Sequence, residues 1–170
     1  LCEAAMHYCR IPAGYFRSEF GFMRLPDYKK AIWKKVREDC DARMRPLPQG
    51  LISGSDMSRA DAQAARQNCG ELPDGENISI GIKPFQDIES LDDTIIVCNP
   101  PYGVRMKDRG NPGRLLSEFS QFLIERCRGA AVYIYFVKEK QIETVKLRAA
   151  WKKPMKSGGL DGFLGKYKIR

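Results

Sequence analysis

The 170-residue chain has a single histidine, His7, and no CxxC pair. One histidine excludes a two-histidine metal site and gives a Ser-His-Asp triad no support. His7 reads as an ordinary, partly buried helix residue. The six cysteines (Cys2, Cys9, Cys40, Cys69, Cys98 and Cys127) are widely spaced, each in or beside a helix or strand pattern. They read as small buried hydrophobes of a reducing, cytoplasmic compartment, and no bound metal is expected. Long hydrophobic runs are lacking, since the longest are strand-sized and too short to span a bilayer. The opening residues lack the charged-then-apolar pattern of a leader peptide. An N-cap is lacking as well. The first residues, LCEAAMHYC, read as helix from Leu1 onward, so further sequence is expected upstream.

What is present is positive charge. Lys and Arg number 29 against 21 Asp and Glu, for a net charge of +8 and a pI near 9.2. Such a surplus favours polyanionic partners. The positives concentrate in Lys29–Arg45, Arg105–Arg114 and Lys138–Arg170. None of these stretches is low-complexity, which points to a folded basic face rather than a tail. An apolar content of 43% is that of a globular domain.

Along the chain, LCEAAMHYC reads as a helix with Leu1, Ala4, Ala5 and Tyr8 on its apolar side. An irregular aromatic connection follows, broken by Pro12, Gly14, Gly21 and Pro26. Tyr28, Ile32, Val36, Cys40 and Met44 then recur at helical spacing, opposite a face rich in Lys and Arg. GLISGS reads as a short buried strand ending at Asp56 and Met57. Ser58 caps the next helix, with Asp61 three residues on and Gly70 suited to the C′ position. ISIGIKPF and TIIVC read as strands, and GRLLSEFSQFLIERC as a helix with Leu115, Phe119, Phe122 and Leu123 inward. AAVYIYF is a buried strand and KEKQIETV a short helix. LRAAWKKPM and GFLGKYKIR form a hairpin. Strands alternating with helices and closing on a hairpin predict an α/β fold with a mostly parallel sheet.

In such sheets ligands bind beyond the carboxyl ends of the strands. Three predicted ends carry polar groups: Asp56-Met57, Gln86-Asp87 and Asn99-Pro100-Pro101-Tyr102. An acid after the second strand of a nucleotide-binding sheet accepts ribose hydroxyls. The same acid also suits the start of a helix, so Asp56 alone leaves both readings open. Asp87, one polar residue in a loop, is equally open. Asn-Pro-Pro-Tyr-Gly is more specific. Pro100 and Pro101 fix φ and remove two donors, and Pro100 holds Asn99 extended. The result is a stiff tip rich in carbonyl acceptors, suited to an incoming N–H₂ group. Tyr102 offers a face for stacking a base, and Gly103 lets the backbone come close. An ordinary Pro-Pro turn is the other reading of these five residues.

NPPYG after a strand resembles motif IV of the class I S-adenosylmethionine-dependent amino-methyltransferases. LCEAAMHYCRIPAG, FGFMRLPDYKKAIW, GSDMSRADAQAARQNC and KSGGLDGFLGKY resemble segments of the bacterial 23S rRNA guanine-N2 methyltransferases, RNA methylases with a THUMP domain upstream. The likeness runs from Leu1 to Arg170. It implies a Rossmann-like methyltransferase sheet, mostly parallel with a C-terminal antiparallel hairpin, and a single catalytic domain over 1–170. It also implies S-adenosylmethionine as cofactor, no metal, ribosomal RNA as partner and no membrane.

By the same resemblance, Asp56 binds the ribose hydroxyls of the cofactor, Met57 packs on its adenine and Asp87 accepts from the adenine amine. Asn99 and Pro100 hold the exocyclic amine of a flipped guanine, Pro101 stiffens the loop and Tyr102 stacks on the base. Arg105, Lys107 and Arg109, by charge and proximity in sequence, are candidates for the RNA backbone; a solvated loop is the other reading. The family's Gly-rich motif I, with the first strand of the sheet, precedes the helix that here opens the chain. The expectation is therefore a sheet without its first strand, two strands with unpaired edges, no upstream RNA-binding domain, and weak cofactor binding by this segment alone. An adenine-N6 methyltransferase of RNA or DNA and an inactive basic RNA-binding module are the alternatives.

Overall fold

The computed structural model describes residues 1–100, 112–157 and 160–170. They divide into two compact units, Leu1–Pro84 and Phe85–Arg170.

The first unit holds helices α1 (Cys2–Cys9), α2 (Lys30–Asp41) and α3 (Arg59–Gly70) and strands β1 (Ser53–Asp56) and β2 (Ser79–Ile82). β1 and β2 pair in parallel, from Ser53 opposite Ser79 to Asp56 opposite Ile82. Their core gathers Ala5, Cys9, Ile11, Leu47, Cys69, Leu72 and Ile78. α1 therefore buries Ala5 and Cys9, one turn apart, rather than the Leu1–Ala4–Ala5–Tyr8 line expected from sequence; Leu1, Ala4 and His7 are exposed. The reading of β1 as buried is also corrected. Its residues, Ser-Gly-Ser-Asp, are small and mostly exposed, because the apolar pair Leu51-Ile52 precedes the strand instead of lying in it.

Ser58 does cap α3: its Oγ accepts from the Asp61 N–H at 3.3 Å. Gly70, expected just beyond the helix, is its last residue, and Glu71 stays right-handed. The chain leaves through a tight turn, the Leu72 N–H donating to the Cys69 carbonyl at 3.0 Å, which drops Leu72 into the core. α2 ends at Asp41, short of Met44, and has no buried residue; Ile32 and Val36, read as its inward face, are exposed.

The second unit holds β3 (Ile95–Cys98), α4 (Pro112–Arg126), β4 (Ala131–Phe136), α5 (Lys140–Thr144), β5 (Ala149–Ser157) and β6 (Leu160–Lys168). The strand order is β3-β4-β6-β5. β3 and β4 run parallel, and β6 is antiparallel to both β4 and β5. The predicted hairpin is thus present, with an irregularity between Ala149 and Trp151. Pro154 lies in β5, the edge strand, where its missing N–H does least harm.

β4 alternates cleanly. Val132, Ile134 and Phe136 are fully buried against Leu116, Phe122 and Leu123 of α4, with Tyr167 and Ile169 closing the core. Full burial of each such side chain stabilises by ~1.5–3 kcal/mol. Leu116 is the buried member of the leucine pair, with Leu115 half-buried. At Gly129, φ is +78°, and a Cβ would overlap the Asp93 carboxylate, so only glycine fits this turn into β4. β3 is less buried than TIIVC suggests. Ile96 and Cys98 pack on the core, while Ile95 and Val97, on the alternate face, are each 75% exposed. Among the described strands, β1, β2, β3 and β5 each pair on one side only.

Candidate functional site

In the first unit, Asp56 ends β1 and is held by its surroundings. Its backbone carbonyl accepts from the Lys83 N–H at 3.1 Å, continuing the ladder past β2. Its Oδ1 accepts from the Ser58 N–H at 2.8 Å, and Ser58 caps α3. Strand end, carboxylate and helix start are thereby tied together. One oxygen has a backbone partner, and acceptor capacity remains on the exposed carboxylate for a vicinal diol. The residues fit the ribose of a nucleoside cofactor on that ground. Met57, next in the chain, is 63% exposed.

In the second unit, Asp87 closes a short 3₁₀ turn, Phe85–Asp87, that is fastened to α4. Phe85 packs edge-on against Phe119 and Phe122, with ring centres at 5.1 and 5.5 Å. The Arg126 guanidinium donates to the carbonyls of Gln86 at 3.0 Å and Ile88 at 3.1 Å, one on each side of Asp87. Gln86 Nε2 donates to Glu118 at 3.3 Å, and Glu118 pairs with Arg114 at 2.8 Å. The Arg114 hydrogen bond holds the Glu118 carboxyl below its ordinary range. Asp87 itself is exposed. Sequence reasoning missed this fastening. Arg126 lies about forty positions from the carbonyls it grips, and only the Phe119–Phe122 spacing hinted at a ring partner.

Asn99 follows β3 directly and is exposed, while Pro100 is half-buried. The preceding Cys98 lies against the core, and burial pushes its thiol up to about 12. Burial likewise raises Cys69 and Cys127 to about 11 and pushes Cys9 upward. Thiols so perturbed stay protonated near neutrality and are poor nucleophiles. Pro101, Tyr102, Arg105, Lys107 and Arg109 lie outside the described residues. A cavity of about 340 Å³ in the first unit is lined by Arg10, Pro12, Cys40 and Arg43, and no predicted site residue lines it.

Parallel strands with helices between them, closing on an antiparallel hairpin, are the α/β content of a methyltransferase-like fold. Comparison with known proteins makes this specific. The UPF0020 family, described as an RMKL-like methyltransferase domain, matches residues 1–164, and the chain belongs to it. A Synechocystis sp. (strain PCC 6803) protein provisionally named RNA methyltransferase slr0064 is 29% identical over 170 residues, covering 99% of this chain. The ribosomal RNA large subunit methyltransferase K/L of Aliivibrio salmonicida (strain LFI1238) is 25% identical over 175 residues, again over 99% of this chain. The chain spans 44% of the first relative's length and 25% of the second's.

Among solved structures, SMU.472, provisionally described as a methyltransferase and complexed with SAH, superposes with a TM-score of 0.87 at 23% identity. It covers 99% of this chain and 45% of its own, and supports the fold. A Listeria monocytogenes (str. 4b F2365) protein described as a predicted N6-adenine-specific DNA methylase gives a TM-score of 0.79 at 25% identity, over 99% of this chain and 43% of its own.

Proposed function

We propose that this chain is the catalytic domain of an S-adenosylmethionine-dependent N-methyltransferase that modifies the exocyclic N2 amine of a guanine in ribosomal RNA. Family membership and the names of the relatives support methyl transfer to RNA. The observation that carries the chemistry is Asn99, exposed at the carboxyl end of β3 and followed by Pro100.

When bound, S-adenosylmethionine supplies a methyl group made electrophilic by its sulfonium. The Asp56 carboxylate, oriented by the Ser58 N–H, takes the ribose hydroxyls, and Met57 covers the adenine. Asp87, on its fastened turn, accepts from the adenine amine. The Asn99 side-chain carbonyl and the Pro100 carbonyl accept the two protons of the target amine, which turns the nitrogen lone pair outward. Positioning of this kind supplies much of the rate, and no protein nucleophile is called for. The target base must leave its stack to be reached. By position in the sequence, Pro101 stiffens the tip, Tyr102 stacks on the base, and Arg105, Lys107 and Arg109 meet the RNA backbone.

Replacing Asn99 with Ala in the full-length protein is expected to lower methyl transfer to rRNA by a hundredfold or more, with cofactor affinity by calorimetry nearly unchanged. Near-normal turnover would remove Asn99 from the mechanism. The Listeria neighbour's description favours a second reading, an adenine-N6 methyltransferase, because the same acceptors suit any planar exocyclic amine. Transfer to an RNA whose only candidate base is adenine would select it. Absence of cofactor binding by the full-length protein would leave the basic RNA-binding module.

A further inference from the structure

The first unit carries a surface that the proposed chemistry does not use. α2 buries no residue, and the segment before it exposes Phe16 (60%), Phe22 (40%) and Tyr15. These rings are exposed but not loose. Phe22 stacks on Phe20 at 5.3 Å, Trp33 of α2 meets both edge-on at 5.2 and 5.0 Å, and Tyr28 approaches Phe22 at 6.0 Å. Tyr15 and Phe16 meet edge-on at 5.2 Å, and the Arg17 guanidinium lies 5.5 Å over Phe20. The cluster is a pre-formed aromatic platform.

Its surroundings are cationic. Between residues 17 and 37 there are seven basic and two acidic side chains. Lys30, Lys34 and Arg37 recur at i, i+4 and i+7, one strip of α2 flanking Trp33. Lys34 pairs with Glu38 at 3.7 Å and Arg24 with Glu19 at 3.8 Å, both in the open, where such pairs contribute little. Lys30 and Arg37 have no ion pair among the described residues. The acids of α2 (Glu38, Asp39 and Asp41) fall in its last turns and bound the strip.

Rigid rings beside exposed cations are the chemistry of single-stranded nucleic acid binding, where bases stack on the rings and phosphates meet the charges. Aromatic residues and Arg serve protein interfaces too, but four of the seven basic side chains here are lysines, which are depleted there. We propose that the 15–22 aromatic segment and the Lys30–Lys34–Arg37 strip hold an unpaired stretch of RNA. The choice of RNA rests on the proposed function.

The test titrates a fluorescent single-stranded RNA of mixed sequence with the full-length protein at several salt concentrations. Y15A/F16A, whose rings meet each other at the edge of the cluster, is expected to weaken binding about tenfold or more, with the salt slope unchanged, because stacking is not electrostatic. K30Q/R37Q is expected to make the slope of log K against log[salt] shallower by about 1.4, from ~0.7 per lost phosphate contact. All four side chains are exposed, so circular dichroism and cofactor affinity should match wild type. Wild-type affinity and slope in both variants, with rRNA methylation intact, overturns the surface and leaves the function standing. Weakened RNA binding in the variants of a protein that methylates no RNA supports the surface and overturns the function.

Discussion

Two neighbouring roles meet at Cys98 and Asn99: one side chain faces the core, the next faces solvent. The stiffness that Pro100 confers was legible in the sequence; the alternation was not, because TIIVC is apolar on both faces and reads as wholly buried. Nor was the thiol's environment, because it depends on residues distant in sequence. Burial and the nearby Cys98 push Tyr167 up to about 12, and the Tyr167 hydroxyl, fully buried on β6, has no hydrogen-bond partner among the described residues. A buried unpaired hydroxyl costs about 1–3 kcal/mol. Tyr167→Phe keeps the ring and removes that cost. The expected result is a denaturation midpoint raised by about 1 kcal/mol in stability at constant m-value. A clear loss of stability would show that the hydroxyl is satisfied.

At the scale of elements, helix and strand order was readable because periodicity and capping are local. Ser58–Asp61 and the alternating β4 are examples. Burial was harder to read. Ile32, Val36, Ile95 and Val97 carry inward-facing patterns yet lie exposed, since a pattern names a face and not what covers it. The fastening of the Phe85–Asp87 turn was invisible for a related reason, its partners lying a helix away. Arg126→Ala removes both carbonyl contacts around Asp87. Amide exchange at 85–88 is expected to accelerate at least tenfold and cofactor affinity to fall, with RNA affinity unchanged. Arg126→Lys, able to reach one carbonyl at a time, should restore part of the loss. Unchanged exchange in the alanine variant would show that the Phe85 ring contacts alone hold the turn.

For the whole molecule, raised thiols in both units and Tyr167 set an alkaline limit. In the unfolded chain the cysteines titrate near 9 and tyrosine near 10, against about 11 to 12 for Cys69, Cys98, Cys127 and Tyr167 in the fold. Between those values the unfolded state has released protons that the folded state keeps. Stability therefore falls as pH rises. It is fully present below about pH 9 and declines through pH 11–12. Thermal melts across pH 7–11 under reducing conditions should show a plateau and then a fall; a flat profile would mean that the thiols are solvated in the fold.

The four-stranded sheet has two unlike ends. β5 is guarded by Pro154 and by Lys152, Lys153 and Lys156, whereas β3, among the described strands, pairs on one side only, with Ile95 and Val97 open on one face. Strand addition to this sheet has one permitted direction. A strand supplied from elsewhere would dock on β3 and be turned away at β5, so the sheet grows from one side only.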